Sequence, residues 1–185
     1  MNLLQQDDET AFEQLVRRWE TPMLNFFYRA MGDLDEAEDL RQDLFVRLYT
    51  YRASYRGDGT FRAWLYQLAT NLLRSHLRRT KTVVSLDAVE SDGASESPEV
   101  SDTVPTVGEI AQRGERERLL RQLLERLAPD DREALLLRYY EELPYREISQ
   151  ALNIAETSAK SRVYRAIEKL RQLVAERGLT AGDLL

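Results

Sequence analysis

From residue 157 to residue 177 the chain carries Lys160, Arg162, Arg165, Lys169, Arg171 and Arg177 against only two acids, Glu168 and Glu176. The chain as a whole is acidic, with a formal net charge of −6. A local excess of cations suits a polyanion, because affinity for nucleic acid comes largely from neutralising phosphates. Ala159, Val163, Ala166, Ile167, Leu170 and Leu173 recur at helical spacing through the same segment, so the cations project away from an apolar stripe. Just upstream, Pro144 suits the first turn of a helix, and Ile148, Ala151 and Leu152 form a short stripe. Asn153 tolerates the left-handed backbone of a sharp turn, and Thr157 is a good N-cap for the helix that follows. The spacing predicts a helix-turn-helix whose second helix lies in a DNA major groove. The competing reading is a helical hairpin with a solvated charged face.

Other chemistry is poorly supplied. The chain has no cysteine and one histidine, His76, which disfavours thiolate or imidazole metal sites and a Ser-His-Asp triad. There is no glycine-rich phosphate loop. No catalytic residue, cofactor or metal is expected. No apolar run approaches a membrane span, and the first ten residues lack the basic and apolar regions of a signal peptide. A soluble cytoplasmic protein is the expectation, with no membrane insertion.

Glycine and proline are sparse, at 8 and 5 of 185 residues, and helical periodicity dominates, so the fold class is all-α. Three parts are expected: a helical domain over 1–80, a flexible acidic linker over 81–115, and a second helical domain over 116–185. In the first, Thr10 and Glu13 fit a capping box opening a helix through Phe12, Leu15, Val16 and Trp19. Pro22 begins a second helix that runs to Met31, and Gly32 stops it. Asp33 starts a third helix with the stripe Leu34, Ala37, Leu40, Leu44 and Leu48, and with Glu36, Asp39 and Asp43 on another face. Gly57 and Gly59 break the chain, and Thr60 caps a fourth helix whose core is Phe61, Trp64, Leu65, Leu68, Leu72 and Leu73. Trp64 falls on that apolar stripe, and His76 reads as a polar surface residue. The segment 81–115 loses periodicity and is rich in Ser, Asp, Glu, Val and Pro, too poor in apolar area to offset its chain entropy. The second domain opens near Arg116 with leucines at 119, 120, 123, 124 and 127; Pro129 and Asp130 start the next helix.

Taken together, AEDLRQDLFVRLY, FRAWLYQLATN and SAKSRVYRA, in that order and with that connector, resemble a bacterial RNA polymerase sigma factor of the extracytoplasmic-function group. The resemblance covers about Thr10 to Arg79 (region two) and Arg116 to Leu173 (region four). The chain departs from the family where Thr157-Ser158-Ala159 replaces a common Gly-Thr-Val, where Asn153 replaces a turn glycine, and where Ser149 replaces alanine.

The resemblance implies that the chain binds core RNA polymerase and directs initiation at promoter DNA. On that reading Asp39, Gln42, Asp43, Phe45 and Val46 of the third helix dock on a coiled coil of the largest catalytic subunit, and region four meets the flap region. Ser158, Lys160, Ser161, Tyr164 and Arg165 face the minus-35 duplex, with Arg138, Tyr145 and Arg146 bracing the flanking backbone. Tyr55, Arg56, Gly57, Asp58 and Phe61 hold a flipped base of the minus-10 strand, and Asn71, Arg74, Ser75, Arg78 and Arg79 guide the strand along the fourth helix. Arg162 is ambiguous, since a surface acid such as Glu142 would pair with it. Asp87, Glu90, Asp92, Glu96, Glu99 and Asp102 of the linker either mimic nucleic acid in the polymerase's RNA channel or form a plain tether. An anti-sigma partner covering both domains is implied as well. The rivals are a conventional DNA-binding regulator that never joins polymerase, and a metal-dependent nuclease.

Overall fold

The structure, a computed structural model, describes residues 8–57, 59–84 and 118–179. Every regular element among them is helical. Helix α1 spans Glu9–Met31, α2 Leu34–Tyr51, and α3 Phe61–Val84, with a 3-10 turn at Arg52–Ser54 before α3. A helix over 118–125, here α4, opens the second module. It is followed by α5 (Pro129–Tyr139), α6 (Tyr145–Leu152) and α7 (Glu156–Glu176).

Capping explains most of the boundaries. The Asp33 carboxylate accepts the Glu36 N–H at 2.9 Å and Thr60 Oγ1 accepts the Ala63 N–H at 3.1 Å, each satisfying an orphan donor of a first turn. Gly32 ends α1 in the left-handed region at φ 84°, its N–H bonded to Tyr28 O at 2.7 Å. Gly32→Ala puts a side chain into that conformation and sets its Cβ 3.1 Å from both Arg121 Cδ and Glu125 Oε1. The expected loss is roughly 1–2 kcal/mol of unfolding free energy, read by denaturant titration.

Two expectations at the start of the chain are corrected. The N-cap of α1 is Asp8, whose carboxylate accepts the Ala11 N–H at 3.0 Å, rather than Thr10 of a capping box; an anionic acceptor also suits the positive helix start. Residues 9–31 form one helix, with Pro22 inside it rather than at a break. An internal proline costs about 3 kcal/mol. Met23, Phe26 and Phe27 beyond it are fully buried, and each contributes roughly 1.5–3 kcal/mol, so continuing the helix wins. Further along, α3 extends through Val84, four residues past the expected end of the first domain.

Tyr66, fully buried, anchors the first module. Phe26 meets it edge-on at 5.4 Å between ring centroids and Trp19 at 6.3 Å, geometries that aromatic quadrupoles favour. In the second module α5 packs against α7, and α6 against both. Leu136, Leu137, Leu143, Ile148, Ala159, Val163 and Ala166 are buried there. The two modules are in contact: α3 lies along α6, and α1 touches α5.

Candidate nucleic-acid interface

The turn between α6 and α7 is built on Asn153, at φ 52° and ψ 52°, with the Ile154 N–H closing onto Ser149 O at 3.0 Å. The short polar side chain of Asn tolerates this left-handed step. Helix α7 begins at Glu156 with Ala155 as N-cap, so Thr157 lies inside the first turn rather than capping it. Its carbonyl accepts the Ser161 hydroxyl at 2.9 Å. Ala159, Val163, Ala166 and Leu173 are buried, which turns Ser158, Lys160, Ser161, Tyr164 and Arg165 outward. A shallow groove of about 360 Å³ runs past Thr157, Ser158, Ser161, Arg162 and Arg165.

Acids on α5 hold the arginines of this face. Arg165 Nη2 and Nε donate to Asp131 at 2.6 and 3.1 Å. Arg162 pairs with Asp130 at 2.7 Å, which settles its partner as an acid other than Glu142. Arg138 is turned inward: its Nη1 donates to Leu143 O at 3.2 Å, and its guanidinium lies over the Tyr145 ring at 5.3 Å. Lys160 approaches the same half-buried ring at 5.6 Å. Arg138 and Tyr145 therefore orient α6 and α7, while Arg146 is exposed.

The loop before α3 encloses an open cavity of about 480 Å³, lined by Tyr55, Arg56, Gly57, Trp64 and Gln67 among others. Tyr55 stands 5.2 Å from Trp64 and 6.2 Å from Phe61, ring centre to ring centre, and its hydroxyl donates to Gly59 O at 3.2 Å. Trp64 thus packs on the core and also lines the cavity, so the stripe assignment captures half of its role. Asp58 lies outside the described residues, as do the six linker acids from Asp87 to Asp102. Gln150, outside the expected strand-capture set, and Asn153, expected only as the turn residue, border the cavity from the second module.

Along α3, Asn71, Arg78 and Arg79 are exposed. Ser75 donates to Asn71 O at 2.8 Å and accepts from Arg78 Nη2 at 3.3 Å. Arg74 is not on an open polar side as expected. It reaches across to α5, where its Nε and Nη2 lie 2.9 and 2.7 Å from Glu133 Oε2. His76 is half-buried, with Nε2 3.4 Å from Glu36.

Glu133 is 2% exposed. Burial pushes its carboxyl up from 4.5 to about 7, a desolvation that the attraction of Arg74 and Arg162 only partly offsets and that repulsion from Asp130 reinforces. Burial also raises the carboxyl of Glu141, which accepts a hydrogen bond from the Tyr66 hydroxyl. A carboxyl whose pKa rises on folding takes up a proton as the chain folds. Its contribution to stability therefore grows as pH falls from about 7 toward 4.5 and shrinks as pH rises through that window. Urea titrations across it should show stability falling with pH by up to about 1.4 kcal/mol per unit from this group. Glu133→Gln should flatten the slope; an unchanged slope removes Glu133 as its source.

On α2, Asp39, Gln42, Asp43 and Val46 are exposed and share a face at three- and four-residue spacing, with Val46 65% exposed. Phe45 differs from expectation: it is buried in the core cluster, because it falls one position off that face and beside Leu44 and Leu48. Among the described residues no group of three or more His, Asp or Glu side chains is placed to hold a metal ion. Among them, too, no helix is long and apolar enough to cross a membrane.

Comparison with known proteins gives these surfaces a family. Residues 15–83 match the model for sigma-70 region 2, and residues 117–170 that for sigma-70 region 4. The chain is 30% identical to the RNA polymerase sigma-H factor of Pseudomonas aeruginosa, over 90% of this chain and 88% of that one. It is 32% identical to the ECF RNA polymerase sigma factor SigW of Bacillus subtilis, over 89% of each. Among solved structures, its fold is similar to the sigma factor RpoE of Bartonella quintana, crystallised with the anti-sigma factor NepR (TM-score 0.69, 23% identity, 89% of this chain and 97% of that chain). It is also similar to CnrH in complex with the cytosolic domain of CnrY (TM-score 0.66, 22% identity, 95% and 94%). With both family regions present in order and full-length relatives at this identity, the chain belongs to the extracytoplasmic-function group of RNA polymerase sigma factors, and its role is in transcription initiation.

Proposed function

We propose that the chain divides promoter recognition between its modules. Helix α7 reads the minus-35 duplex with Ser158, Lys160, Ser161, Tyr164 and Arg165, and Arg146 meets the flanking phosphates. The observation that carries this reading is the sorting of α7 into a buried stripe and an outward polar face. The loop cavity, with Tyr55, Phe61 and Trp64 as aromatic platforms, takes an unstacked base of the minus-10 strand, since bases stack on such rings regardless of sequence. Asn71, Ser75, Arg78 and Arg79 carry the strand onward along α3, and Arg74 joins them when it leaves Glu133.

Core polymerase docks on the α2 face formed by Asp39, Gln42, Asp43 and Val46. The acids supply complementarity to a basic partner surface, and the valine supplies central burial. An anti-sigma protein, of the kind bound to RpoE, is the proposed regulator, and the cytoplasm the proposed compartment. The test is transcription from a library of genomic fragments by core polymerase with and without this chain. New start sites that share an upstream and a downstream element are the expected result. DNA binding without co-purification of core polymerase would instead favour a conventional regulator.

A further inference from the structure

We propose that Asp131 is a positioning residue for duplex recognition: from the first turn of α5 it holds the inner edge of the Arg165 guanidinium and leaves the outer edge to read a guanine in the major groove. The proposal rests on the minus-35 reading of α7. It adds the base that Arg165 selects and the residue that sharpens the selection.

Two arginines of α7 meet two aspartates of α5, and the two pairs are built the opposite way round. In one, the acid lies outside and the cation inside. The Asp130 side chain is 54% exposed and Arg162 19%, at 2.7 Å. In the other, the acid lies inside and the cation outside. The Asp131 side chain is 14% exposed and Arg165 60%, at 2.6 Å. The first arrangement fastens α7 to α5. The second presents a cation to solvent with its counterion tucked behind it.

Arg165 meets Asp131 side-on. Its Nε donates to Oδ2 at 3.1 Å and its Nη2 to Oδ1 at 2.6 Å. A guanidinium carries five N–H donors in a rigid fork, and this pair uses two of them. Nη1 and the second N–H of Nη2 remain, side by side on the far edge. Such an edge fits O6 and N7 of guanine, the commonest specific base contact of arginine. Asp131 therefore stays bonded while Arg165 reads a base. The anchor itself is fixed. The Asp131 N–H bonds Ala128 O at 3.0 Å in the first turn of α5, where a carboxylate suits the positive helix end, and α5 packs along α7.

An exposed arginine is rich in rotamers, and binding must order it. Asp131 restricts the side chain before DNA arrives. Ordering one such side chain corresponds to roughly 2- to 12-fold in affinity. The carboxylate also carries negative charge beside the groove, which opposes contacts to phosphate alone. Both effects favour duplexes that offer the right base over those that offer only a backbone.

The test uses the full-length chain assembled with core polymerase and a promoter duplex mapped for it. Beside that duplex stands a set in which each base pair of the upstream element is replaced in turn. Arg165→Ala identifies the pair that Arg165 reads, as the G·C position at which discrimination disappears. Asp131→Asn keeps the size of the side chain and removes its charge. It should weaken binding to the intact promoter about 2- to 12-fold and blunt discrimination at that same pair, without lowering affinity for a scrambled duplex. In the Arg165→Ala background the same change should no longer weaken promoter binding, because the two residues act as a unit. Tighter promoter binding by Asp131→Asn would make the carboxylate a competitor of DNA and overturn the proposal. So would undiminished discrimination, or an equal loss in the Arg165→Ala background, which would mark a general effect on α5. Loss at an A·T pair in Arg165→Ala overturns the assignment of guanine. If Arg165→Ala changes discrimination at no pair, base reading by Arg165 itself falls, and the positioning with it.

Discussion

Arg165→Ala lowers affinity for an upstream promoter duplex by roughly 5- to 150-fold, the 1–3 kcal/mol of one good bidentate base contact, and leaves assembly with core polymerase intact. The guanidinium has the position for this role. It sits on the outward face of α7, 60% exposed, with Asp131 holding it through two hydrogen bonds. That pair gives the side chain a defined starting direction. The loss should therefore depend on duplex sequence. A phosphate contact would instead weaken all sequences alike and reduce the salt dependence. Electrophoretic or anisotropy titrations against a promoter mapped for this chain, beside a scrambled duplex, separate the two. Equal loss of duplex binding and of core binding would contradict the division of labour between modules.

Val46→Asp should reduce affinity for core polymerase by about 30-fold or more, the 2 kcal/mol or above expected of an apolar anchor at the centre of an interface. Val46 is 65% exposed and stands outside the core cluster, so the melting temperature should not change. Phe45→Ala provides the contrast. That ring is buried, and its truncation should destabilise the fold by a few kcal/mol, with any loss of polymerase binding following from unfolding. Fluorescence titration with core polymerase beside thermal denaturation of both variants checks the pair. A fall in melting temperature for Val46→Asp would assign the residue to the fold instead.

The difference between Phe45 and Val46 shows how far the sequence alone could be read. Both are apolar and adjacent on α2, and only packing against the neighbouring helices tells which is inside. Local chemistry was legible wherever one residue decides the backbone: Gly32 as a left-handed stop, Asn153 as the turn of the helix-turn-helix, and Thr60 as a cap all stand in their expected places. Pro22 and Thr157 misled because each weighs local preference against something larger. Burial of Met23, Phe26 and Phe27 carries the helix through the proline, and the N-cap of α7 falls at Ala155, two residues before Thr157. Least visible were the partners of Arg74 and Thr70. Glu133 lies 59 positions from Arg74, and Ala151 lies 81 from Thr70. No periodicity or local spacing brings such residues together.

The interleaving along α7 has a consequence for how such chains diversify. The positions that fasten the helix and those that look outward alternate within each turn without sharing a side chain. On the proposed reading of α7, rewriting Ser158, Ser161 and Tyr164 would redirect the protein to a different set of genes while leaving its melting behaviour almost untouched, which would make this short stretch an address label for building mutually independent regulators.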